Sequence, residues 1–359
     1  MLISAKNKIR LYSQLDPYSL SEKEKKNFFQ KEINLLTAHH YKNSKEYRQI
    51  LNFMSYKLKN NSLKNIPFLP ARLFKEHDLS SVPKKKILKT LVSSGTTGNA
   101  PSRIILDNET ANNQRKVLSK IISTILGSQR LPMLIIDQNP NLTDRHTFNA
   151  RATAIYGFST FGKNHTYLLN KNNEIDYILL NDFLKKFGNK FFFIFGFTSL
   201  VFENLLKKLS THLLKFNFKN GILLHGGGWK KMEKIKINNK IFKEKLFKKL
   251  KLDNIYNYYG LVEQTGSIFL ECKKCSCFVT SIFSDILIRD KHFNIVQNGN
   301  KGFIHLFSLL PKSYPGHSIL TEDIGEIVNN INCECHIKGT RFLVHGRAEQ
   351  SEIRGCSDI

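Results

Sequence analysis

The spacing of apolar and polar residues changes character along the chain. Up to about residue 80, apolar positions recur with a helical period beside charged positions, as over residues 21–36 and 43–58. Several prolines follow and mark the end of this stretch. The pattern predicts a helical N-terminal region of residues 1–85.

Beyond residue 86, short β-rich runs alternate with helical segments. The predicted strands are residues 87–92, 131–136, 191–195 and 220–224, and a helical pattern covers residues 109–126. Strands that alternate with helices imply a largely parallel sheet covered by helices.

From about residue 278 the pattern consists of short strands alone. They are predicted at residues 284–288, 302–306, 326–328 and 341–344. Consecutive short strands without helices between them favour a smaller, mostly antiparallel unit. The fold class expected from the pattern is therefore α/β with an added β unit.

Composition narrows the class of protein. The chain has 359 residues, 41% of them hydrophobic, which is enough for a large core and excludes wholesale disorder. The formal net charge is +26. Because the lysines are spread along the chain and no nucleic-acid-binding module is recognisable, we do not expect nucleic acid as a partner. An anionic membrane surface stays open as a partner.

The densest basic run is residues 230–251. Its apolar positions are Ile235, Ile237, Ile241, Leu246, Phe247 and Leu250. They predict an amphipathic helix in the second half of the run, with a lysine face that is either solvated or docks on a membrane or a partner.

The N-terminus, the most apolar run and the cysteines bear on where in the cell the protein is located. The first residues lack the apolar core of a signal peptide, and the most apolar run, residues 191–202, is too short to span a bilayer. Six cysteines without a secretion signal indicate a reducing compartment. We therefore expect a soluble cytoplasmic protein.

A hydroxyl- and glycine-rich loop follows the strand predicted at residues 87–92. It contains Ser93, Ser94, Gly95, Thr96, Thr97 and Gly98. Glycines let a backbone approach an anion closely, so that amides and hydroxyls can surround phosphate oxygens. The loop lacks the Gly-Lys-Ser/Thr ending of a Walker A motif, and an ordinary turn is the alternative interpretation.

Four later motifs complete a series. They are His225-Gly226-Gly227-Gly228-Trp229-Lys230, Asn257-Tyr258-Tyr259-Gly260-Leu261-Val262-Glu263, Leu320-Thr321-Glu322-Asp323 and His345-Gly346-Arg347-Ala348-Glu349. In this order, the series resembles the acyl-adenylate-forming ligases. The short length and the ending Arg354-Gly355-Cys356-Ser357 most resemble the acyl-protein synthetase (LuxE) branch, which is related to phenylacetate–CoA ligases.

The resemblance implies an architecture of stacked α/β subdomains with a small β subdomain. We expect the α/β adenylation core at residues 86–277, the β subdomain at 278–346, and a hinge remnant with a C-terminal tail at 347–359. The chain stops twelve residues after Arg347. The mobile C-terminal domain of the family, with its lysine, is therefore expected to be absent.

The resemblance also implies an ATP site. Ser93, Ser94, Gly95, Thr96, Thr97 and Gly98 would hold the β- and γ-phosphates. On the nucleoside side would lie Gly226, Gly227, Gly228, Tyr259, Gly260 and Asp323, with Asp323 on the ribose. Glu263 would bind Mg²⁺, and Arg347 would lie near the ribose and phosphate. The alternatives are an aromatic core for the tyrosines and a plain turn for the glycines.

Two further expectations concern positions near this series. The family loop carries a lysine just after its proline, where this chain has Ser102, and Arg103 follows and could supply the cation. The aromatic residues of 195–198 lie where the family places the wall of its acyl pocket.

The cysteines suggest two roles. Cys272 with Cys275 and Cys333 with Cys335 form two closely spaced pairs that could hold a structural zinc, with Cys277 and His336 as substitute ligands. Reduced, partly buried thiols are the alternative. By the resemblance, Cys356 would accept the acyl group, since a thiolate attacks an acyl-adenylate readily.

These observations predict an ATP-dependent ligase that forms an acyl-AMP from a carboxylic acid, with a fatty acid as the family-led choice. The acyl group would pass to Cys356 and then to a partner such as a reductase or acyltransferase. Coenzyme A or a carrier protein is the alternative acceptor. A non-catalytic nucleotide- or acyl-binding subunit is the alternative of another class, and a basic membrane- or nucleic-acid-associated scaffold is the weakest one.

Overall fold

The computed structural model describes residues 15–92, 101–140, 150–215, 217–229, 237–329, 333–335 and 337–348. The contacts divide the chain into two compact units. Unit 1 takes in the described residues of Met1–Ile121, Gly260–Leu270 and Cys277–Glu352. Unit 2 takes in those of Ile122–Tyr259 and Glu271–Ser276.

The described residues form both helices and strands. The helices are α1 (Glu22–Asn43), α2 (Lys45–Phe53), α3 (Leu73–Glu76), α4 (Asn108–Leu126), α5 (Ala150–Ser159), α6 (Tyr177–Phe187), α7 (Thr198–Val201) and α8 (Asn239–Leu250). The strands are β1 (Leu69–Pro70), β2 (Ile87–Val92), β3 (Arg103–Asp107), β4 (Leu131–Ile135), β5 (Gly162–Tyr167), β6 (Phe192–Phe197), β7 (Gly221–Gly226), β8 (Asn254–Tyr259), β9 (Phe269–Glu271), β10 (Phe278–Val279), β11 (Ser284–Arg289), β12 (Gly302–Ser308), β13 (Ser318–Ile327) and β14 (Arg341–Arg347).

The N-terminal helices begin where serine caps allow it. The Ser21 hydroxyl accepts a hydrogen bond from the Glu24 backbone, and the Glu24 carboxylate accepts one from the Ser21 backbone. This reciprocal capping box satisfies amides that the first turn of α1 leaves without partners. Ser44 caps α2 in the simpler way, through its hydroxyl. Both predicted helices are confirmed, although α2 ends earlier than expected.

Unit 1 contains the antiparallel sheet. Strands β11, β12, β13, β14, β10 and β9 lie side by side in that order, and β1 joins β13 in parallel. Strands β2 and β3 form a separate antiparallel pair. The predicted antiparallel β unit is confirmed in this order of strands.

One strand is much longer than its pattern predicted. The expected strand at residues 326–328 is the end of β13, whose first four residues are all buried. Ser318 and Thr321 lie in this stretch, where their hydroxyls bond to His305 Nε2 at 2.8 Å and the Ile304 carbonyl at 2.9 Å. Because these bonds satisfy buried polar groups, the strand does not need an apolar sequence there.

Unit 2 contains the parallel sheet, in the order β8, β7, β6, β4, β5. Every residue of β6 and β7 is buried. This explains why β6 and residues 221–224 of β7 are apolar, since parallel strands are covered on both faces. Helices α6 and α8 contribute Phe183, Leu184, Phe242 and Leu246 to the surrounding core. The predicted parallel sheet is confirmed, except that the strand predicted at residues 87–92 is β2, which pairs antiparallel with β3 in unit 1.

The basic helix α8 confirms the amphipathic prediction but changes its apolar face. Phe242, Leu246 and Leu250 are buried at four-residue intervals. Ile241 and Phe247, which the sequence grouped with the apolar positions, are 45% and 49% exposed. They lie off the stripe because each residue turns the helix by about 100°.

Across the part of the chain that the structure describes, no helix combines the length and the apolar character needed to cross a membrane.

Candidate functional site

The predicted phosphate loop lies outside the described residues. This applies to Ser93, Ser94, Gly95, Thr96, Thr97 and Gly98, and equally to His336 and Cys356. The strands on either side of the loop are described. Val92 at the end of β2 pairs with Arg103 at the start of β3, so the two ends of the intervening segment lie on neighbouring strands.

Glu263 lies in a short 3₁₀ turn, Val262–Gln264, and its side chain is buried in unit 1. The hydroxyl of Ser102, also buried, donates a hydrogen bond to Glu263 Oε1 at 2.7 Å. Ser102 is the residue that stands in place of the family lysine. Arg103, the other candidate cation, instead pairs with Asp78 at an exposed position. The carboxylate therefore meets a neutral hydroxyl where a cation was expected.

Two glycines, Gly266 and Gly316, allow the chain to pack closely around the turn that holds Glu263. Gly316 lies so near that a Cβ there would be 2.7 Å from the Glu263 carbonyl oxygen. Gly266 has a φ of +88°, and a Cβ there would be 2.7 Å from the Cα of Gln114. A larger residue at either position would displace the turn that holds the carboxylate.

Burial raises the pKa of the Glu263 carboxyl. The Ser102 hydrogen bond and the positive charge of Arg347 lower that pKa, and the negative charge of Asp323 raises it. Among the described residues, Arg347 supplies only part of a counter-charge, so a hard divalent cation would suit this buried carboxylate and compensate its charge.

Asp323 and Arg347 are directly opposite each other on β13 and β14. Arg347 Nε lies 3.7 Å from Asp323 Oδ1, and Arg347 Nη1 lies 3.3 Å from Glu322 Oε2. The Asp323 backbone amide donates to the Thr321 hydroxyl at 3.1 Å. Unit 1 thus groups three of the predicted residues, Glu263, Asp323 and Arg347. It adds Glu322 and Ser102, to which the sequence assigned no binding role.

The predicted glycines of unit 2 occupy conformations that need glycine. Gly226 ends β7, and a Cβ there would lie 2.5 Å from the ring of Tyr258. Gly227 and Gly228 have φ values of +80° and +69°. Two successive residues in the left-handed region turn the chain sharply and leave backbone groups uncovered by side chains.

Two residues beside these glycines were missed by sequence reasoning. His225 Nδ1 lies 2.9 Å from the Thr198 hydroxyl, and that hydroxyl donates to the Gly226 carbonyl at 3.1 Å. Both side chains are buried. His225 appeared in the glycine motif and Thr198 in the predicted acyl-pocket wall, but nothing in the sequence paired them.

The tyrosines of β8 are half-buried, whereas the aromatic residues of the proposed pocket wall are interior. Tyr259 ends β8 in a half-buried position. Phe195 and Phe197 are fully buried in β6, and the Phe195 ring stacks on Phe158 at 4.5 Å between centroids. These rings pack as core in the described structure. Gly260 lies in unit 1, where a Cβ would be 3.3 Å from Ile268 Cγ2.

The described cysteines are divided between the two units. In unit 1, the Sγ atoms of Cys333 and Cys335 lie within 4.8 Å of each other, both half-buried, and Arg341 Nη2 donates to Cys335 Sγ at 3.4 Å. In unit 2, the Cys272 carbonyl accepts from the Ser276 amide at 2.8 Å, which closes a turn. All five described cysteines are free thiols.

Comparison with known families gives a match over nearly the whole chain. The family model described as "Acyl-protein synthetase, LuxE" matches residues 2–359. A comparison with curated protein sequences gave no match.

Solved structures show the fold. The chain is similar to 2-hydroxyisobutyryl-CoA ligase in an open conformation with 2-HIB-AMP and CoA, at 14% identity and a TM-score of 0.70, over 94% of this chain and 79% of that chain. A thioesterification-state structure of that ligase gives 13% identity and a TM-score of 0.67, over 92% and 70% of the chains. The amide bond synthetase McbA from Marinactinospora thermotolerans gives 11% identity and a TM-score of 0.50, over 74% and 49%. The expected fold, that of adenylate-forming ligases, is confirmed.

Proposed function

Because the chain belongs to the acyl-protein synthetase (LuxE) family, we propose that it uses ATP to convert a carboxylic acid into an acyl-adenylate. A carboxylate oxygen of the acid attacks the α-phosphorus, the bond from that phosphorus to the bridging oxygen breaks, and pyrophosphate leaves. A thiolate then attacks the acyl carbon, the carbon–oxygen bond to AMP breaks, and a thioester forms. Catalysis of this kind depends mainly on positioning and on charge stabilisation.

The observation that carries the proposal is the cluster of charged side chains in unit 1, namely Glu263, Asp323 and Arg347. Glu263 is buried with a neutral hydroxyl as its partner, and Asp323 and Arg347 are paired on adjoining strands. Burial of a carboxylate costs stability unless its charge is compensated, and a bound cation would compensate it. We assign Mg²⁺ to Glu263 and the ribose hydroxyls to Asp323, whose carboxylate can accept two hydrogen bonds.

The other predicted residues complete the assignment. The loop of residues 93–98 would hold the β- and γ-phosphates, and Arg347 would lie beside the ribose and α-phosphate. The glycines at residues 226–228, with Tyr259 and Gly260, would line the nucleoside. The positive φ values of Gly227 and Gly228 support this, since they leave the backbone open to a flat ligand.

For the acceptor, we propose Cys356, followed by transfer to a partner protein. A fatty acid is the first acid to try, and coenzyme A is the alternative acceptor. The solved ligase that is similar in fold was crystallised with CoA, which supports coenzyme A as the alternative acceptor. The described free thiols fit a reducing, cytoplasmic location.

A second candidate function has its own observation. Ser102 replaces the family lysine, and Arg103 is paired with Asp78. With no cation from either residue at Glu263, the protein could bind a nucleotide without completing adenylation. It would then be a non-catalytic subunit of a biosynthetic complex.

We also propose a structural zinc with the thiolates of Cys333 and Cys335 among its ligands, with the closeness of their Sγ atoms as support. Metal analysis of protein purified without chelator tests it. About one zinc per chain is expected, with loss in Cys335→Ser and retention in Cys277→Ser, which replaces a thiol not assigned to the pairs. Protein that contains no zinc would contradict the proposal.

Acid-dependent exchange of radiolabelled pyrophosphate into ATP tests the main proposal. Purified protein with Mg²⁺ and a panel of carboxylic acids should show exchange with one class of acid, and Glu263→Ala should lose it. The Cys356→Ser variant should still exchange but no longer form an acyl-protein. Exchange with transfer only to coenzyme A would select the alternative acceptor. ATP binding without exchange for any acid would select the non-catalytic function.

A further inference from the structure

The carboxyl ends of β6 and β7 bring the side chains of Thr198 and His225, to which the proposed function gives no role, beside the carbonyl of Gly226. These strands are parallel neighbours, with Gly196 opposite His225 and Phe197 opposite Gly226. Thr198 follows β6 directly, so its hydroxyl lies beside both His225 and Gly226. The site is entirely within unit 2.

The hydrogen bonds run in one direction. A threonine hydroxyl has a single proton, and Thr198 donates it to the Gly226 carbonyl at 3.1 Å. With that proton on the carbonyl, the 2.9 Å contact with His225 is a bond that Thr198 accepts, so this arrangement places a proton on His225 Nδ1. The order is imidazole N–H to hydroxyl, and hydroxyl to carbonyl.

The surroundings keep this histidine neutral. His225 is 1% exposed, and burial, together with the positive charge of Lys243, lowers its pKa to about 3. Within the described ranges, His225 Nε2 has no hydrogen-bond partner. A second proton on Nε2 would thus be buried near a cation without an acceptor, which is costly. The Lys243 ammonium itself pairs with Glu271 at 2.8 Å.

The bond to the Gly226 carbonyl has a consequence for the chain that follows. The carbonyl of Gly226 and the amide of Gly227 belong to one planar peptide unit, so fixing the oxygen fixes the plane. The Tyr258 ring occupies the space where a side chain of Gly226 would lie, so it packs directly against this residue. The left-handed turn through Gly227 and Gly228 therefore starts from a set direction.

We infer that Thr198 and neutral His225 are positioning residues that orient the Gly226–Gly227 peptide and thereby set the affinity of this turn for a nucleoside phosphate. The inference rests on the proposed function, since it is that function which assigns the nucleoside to residues 226–228. Neither residue touches the reacting atoms. Their contribution is to hold the turn in the bound shape before the ligand arrives, which avoids the cost of ordering it on binding.

Substitution of the hydroxyl tests the inference. Thr198→Val keeps the shape but removes the hydroxyl, so that His225 Nδ1–H and the Gly226 carbonyl both lose their partner. Thr198→Ser keeps the hydroxyl and serves as the conservative rescue. Thr160→Val is the matched control, because the Thr160 hydroxyl also donates to a glycine carbonyl, that of Gly157, but at an exposed position.

The measurement is the dissociation constant of AMP, and of ATP with Mg²⁺, by calorimetry well below each variant's melting temperature. Thr198→Val should weaken AMP binding by about 5- to 100-fold, the range for a buried hydrogen bond that is lost with its partners left unsatisfied. Thr198→Ser should stay within about threefold of wild type, as should Thr160→Val. If Thr198→Val lowers the melting temperature but binds AMP as wild type does, the inference is overturned.

A second readout separates this inference from the proposed function. If wild-type protein binds neither AMP nor ATP, the proposed function fails. The tautomer of His225 then tests the hydrogen-bond chain independently of nucleotide binding. Nitrogen-15 spectra of histidine-labelled protein report the tautomer, with the His225 signal identified by its loss in His225→Gln. A neutral ring protonated on Nδ1 at neutral pH, altered in Thr198→Val, is expected. An imidazolium, or a ring protonated on Nε2, would overturn the hydrogen-bond chain.

Discussion

The hydroxyl of Ser102 donates a 2.7 Å hydrogen bond to the carboxylate of Glu263, and both side chains are buried. The resemblance to adenylate-forming ligases leads one to expect a lysine at position 102. A lysine would neutralise the carboxylate, whereas a hydroxyl supports its charge without cancelling it. The hydroxyl at position 102 therefore leaves more of the Glu263 charge for the proposed cation to compensate than a lysine would.

Ser102→Ala should impair the proposed adenylation and shift its pH dependence. The bond lowers the pKa of Glu263, and burial raises it. Because the charged carboxylate is the form proposed to bind Mg²⁺, activity should fall as pH falls through this pKa. Removal of the bond raises the pKa further, so the acid limb of the pyrophosphate-exchange profile should move to higher pH. The exchange rate near pH 7 should drop about 10-fold.

The control for Ser102→Ala is Ser318→Ala, which removes another buried hydroxyl of unit 1, one that bonds to His305 at 2.8 Å. It should lower stability and leave the acid limb in place. An unchanged limb in Ser102→Ala would show that the bond does not tune Glu263.

Glu263→Gln should abolish metal-dependent activity and yet stabilise the protein. The folded pKa of Glu263 is raised, so above the ordinary glutamate pKa folding costs free energy, because the folded state must either take up a proton or bury a charge that it disfavours. A neutral glutamine avoids that cost. We expect exchange to fall about 100-fold or more, as for the loss of a charged active-site group. The melting temperature at neutral pH should rise.

The gain in stability should vanish in acid. Below the ordinary glutamate pKa the carboxyl is protonated in both folded and unfolded states, so Glu263→Gln and wild type should then melt alike. Thermal melts at several pH values check this. A variant that is less stable than wild type at neutral pH would mean that the carboxylate is a structural anchor.

Asp323 should govern recognition of the ribose. Its pairing with Arg347 is partly exposed, with Nε and Oδ1 3.7 Å apart, so its loss should cost little stability, on the order of 1 kcal/mol or less. Asp323→Ala should weaken ATP binding about 10-fold and should weaken binding of 3′-deoxy-ATP much less. Equal losses for the two nucleotides would place the ribose elsewhere.

The strands and helices could be predicted where burial left a simple pattern. Strand β6 and residues 221–224 of β7 are apolar because both faces are covered, and the helical spacing of apolar residues over 21–36 indicated α1. Strand β13 was mostly missed. Its buried Ser318 and Thr321 are satisfied by residues of β12, and a hydrophobic pattern carries no sign of a partner on another strand.

The candidate site likewise contains residues that the sequence could predict and residues that it could not. Glu263, Asp323 and Arg347 were identified by motif, and unit 1 groups them. The pairing of Thr198 with His225 joins residues 27 apart through the register of two parallel strands, which the sequence does not contain. The aromatic residues Phe195 and Phe197 fit a core as well as a pocket wall, and only burial distinguishes these interpretations.

The buried histidines should make the protein sensitive to acid. His317 is fully buried, stacks on His40 at 4.7 Å between ring centroids, and has its pKa lowered to about 3 by burial. The unfolded chain takes up a proton on such a histidine below about pH 6.5, and the folded chain does not. The free energy of unfolding should therefore decrease as pH falls from about 6.5 towards 3, by about 1.4 kcal/mol per pH unit for each such histidine.

Urea unfolding between about pH 7 and pH 5 measures this slope. His317→Asn will lower stability overall, because Thr37 loses the ring nitrogen 3.0 Å away, but the slope should fall by one proton per molecule. His212→Asn is the matched control, since His212 is exposed on a short turn and should leave the slope unchanged. If His317→Asn keeps the wild-type slope, His317 is protonated in the folded state, and its packing against His40 would then have to accommodate a buried charge.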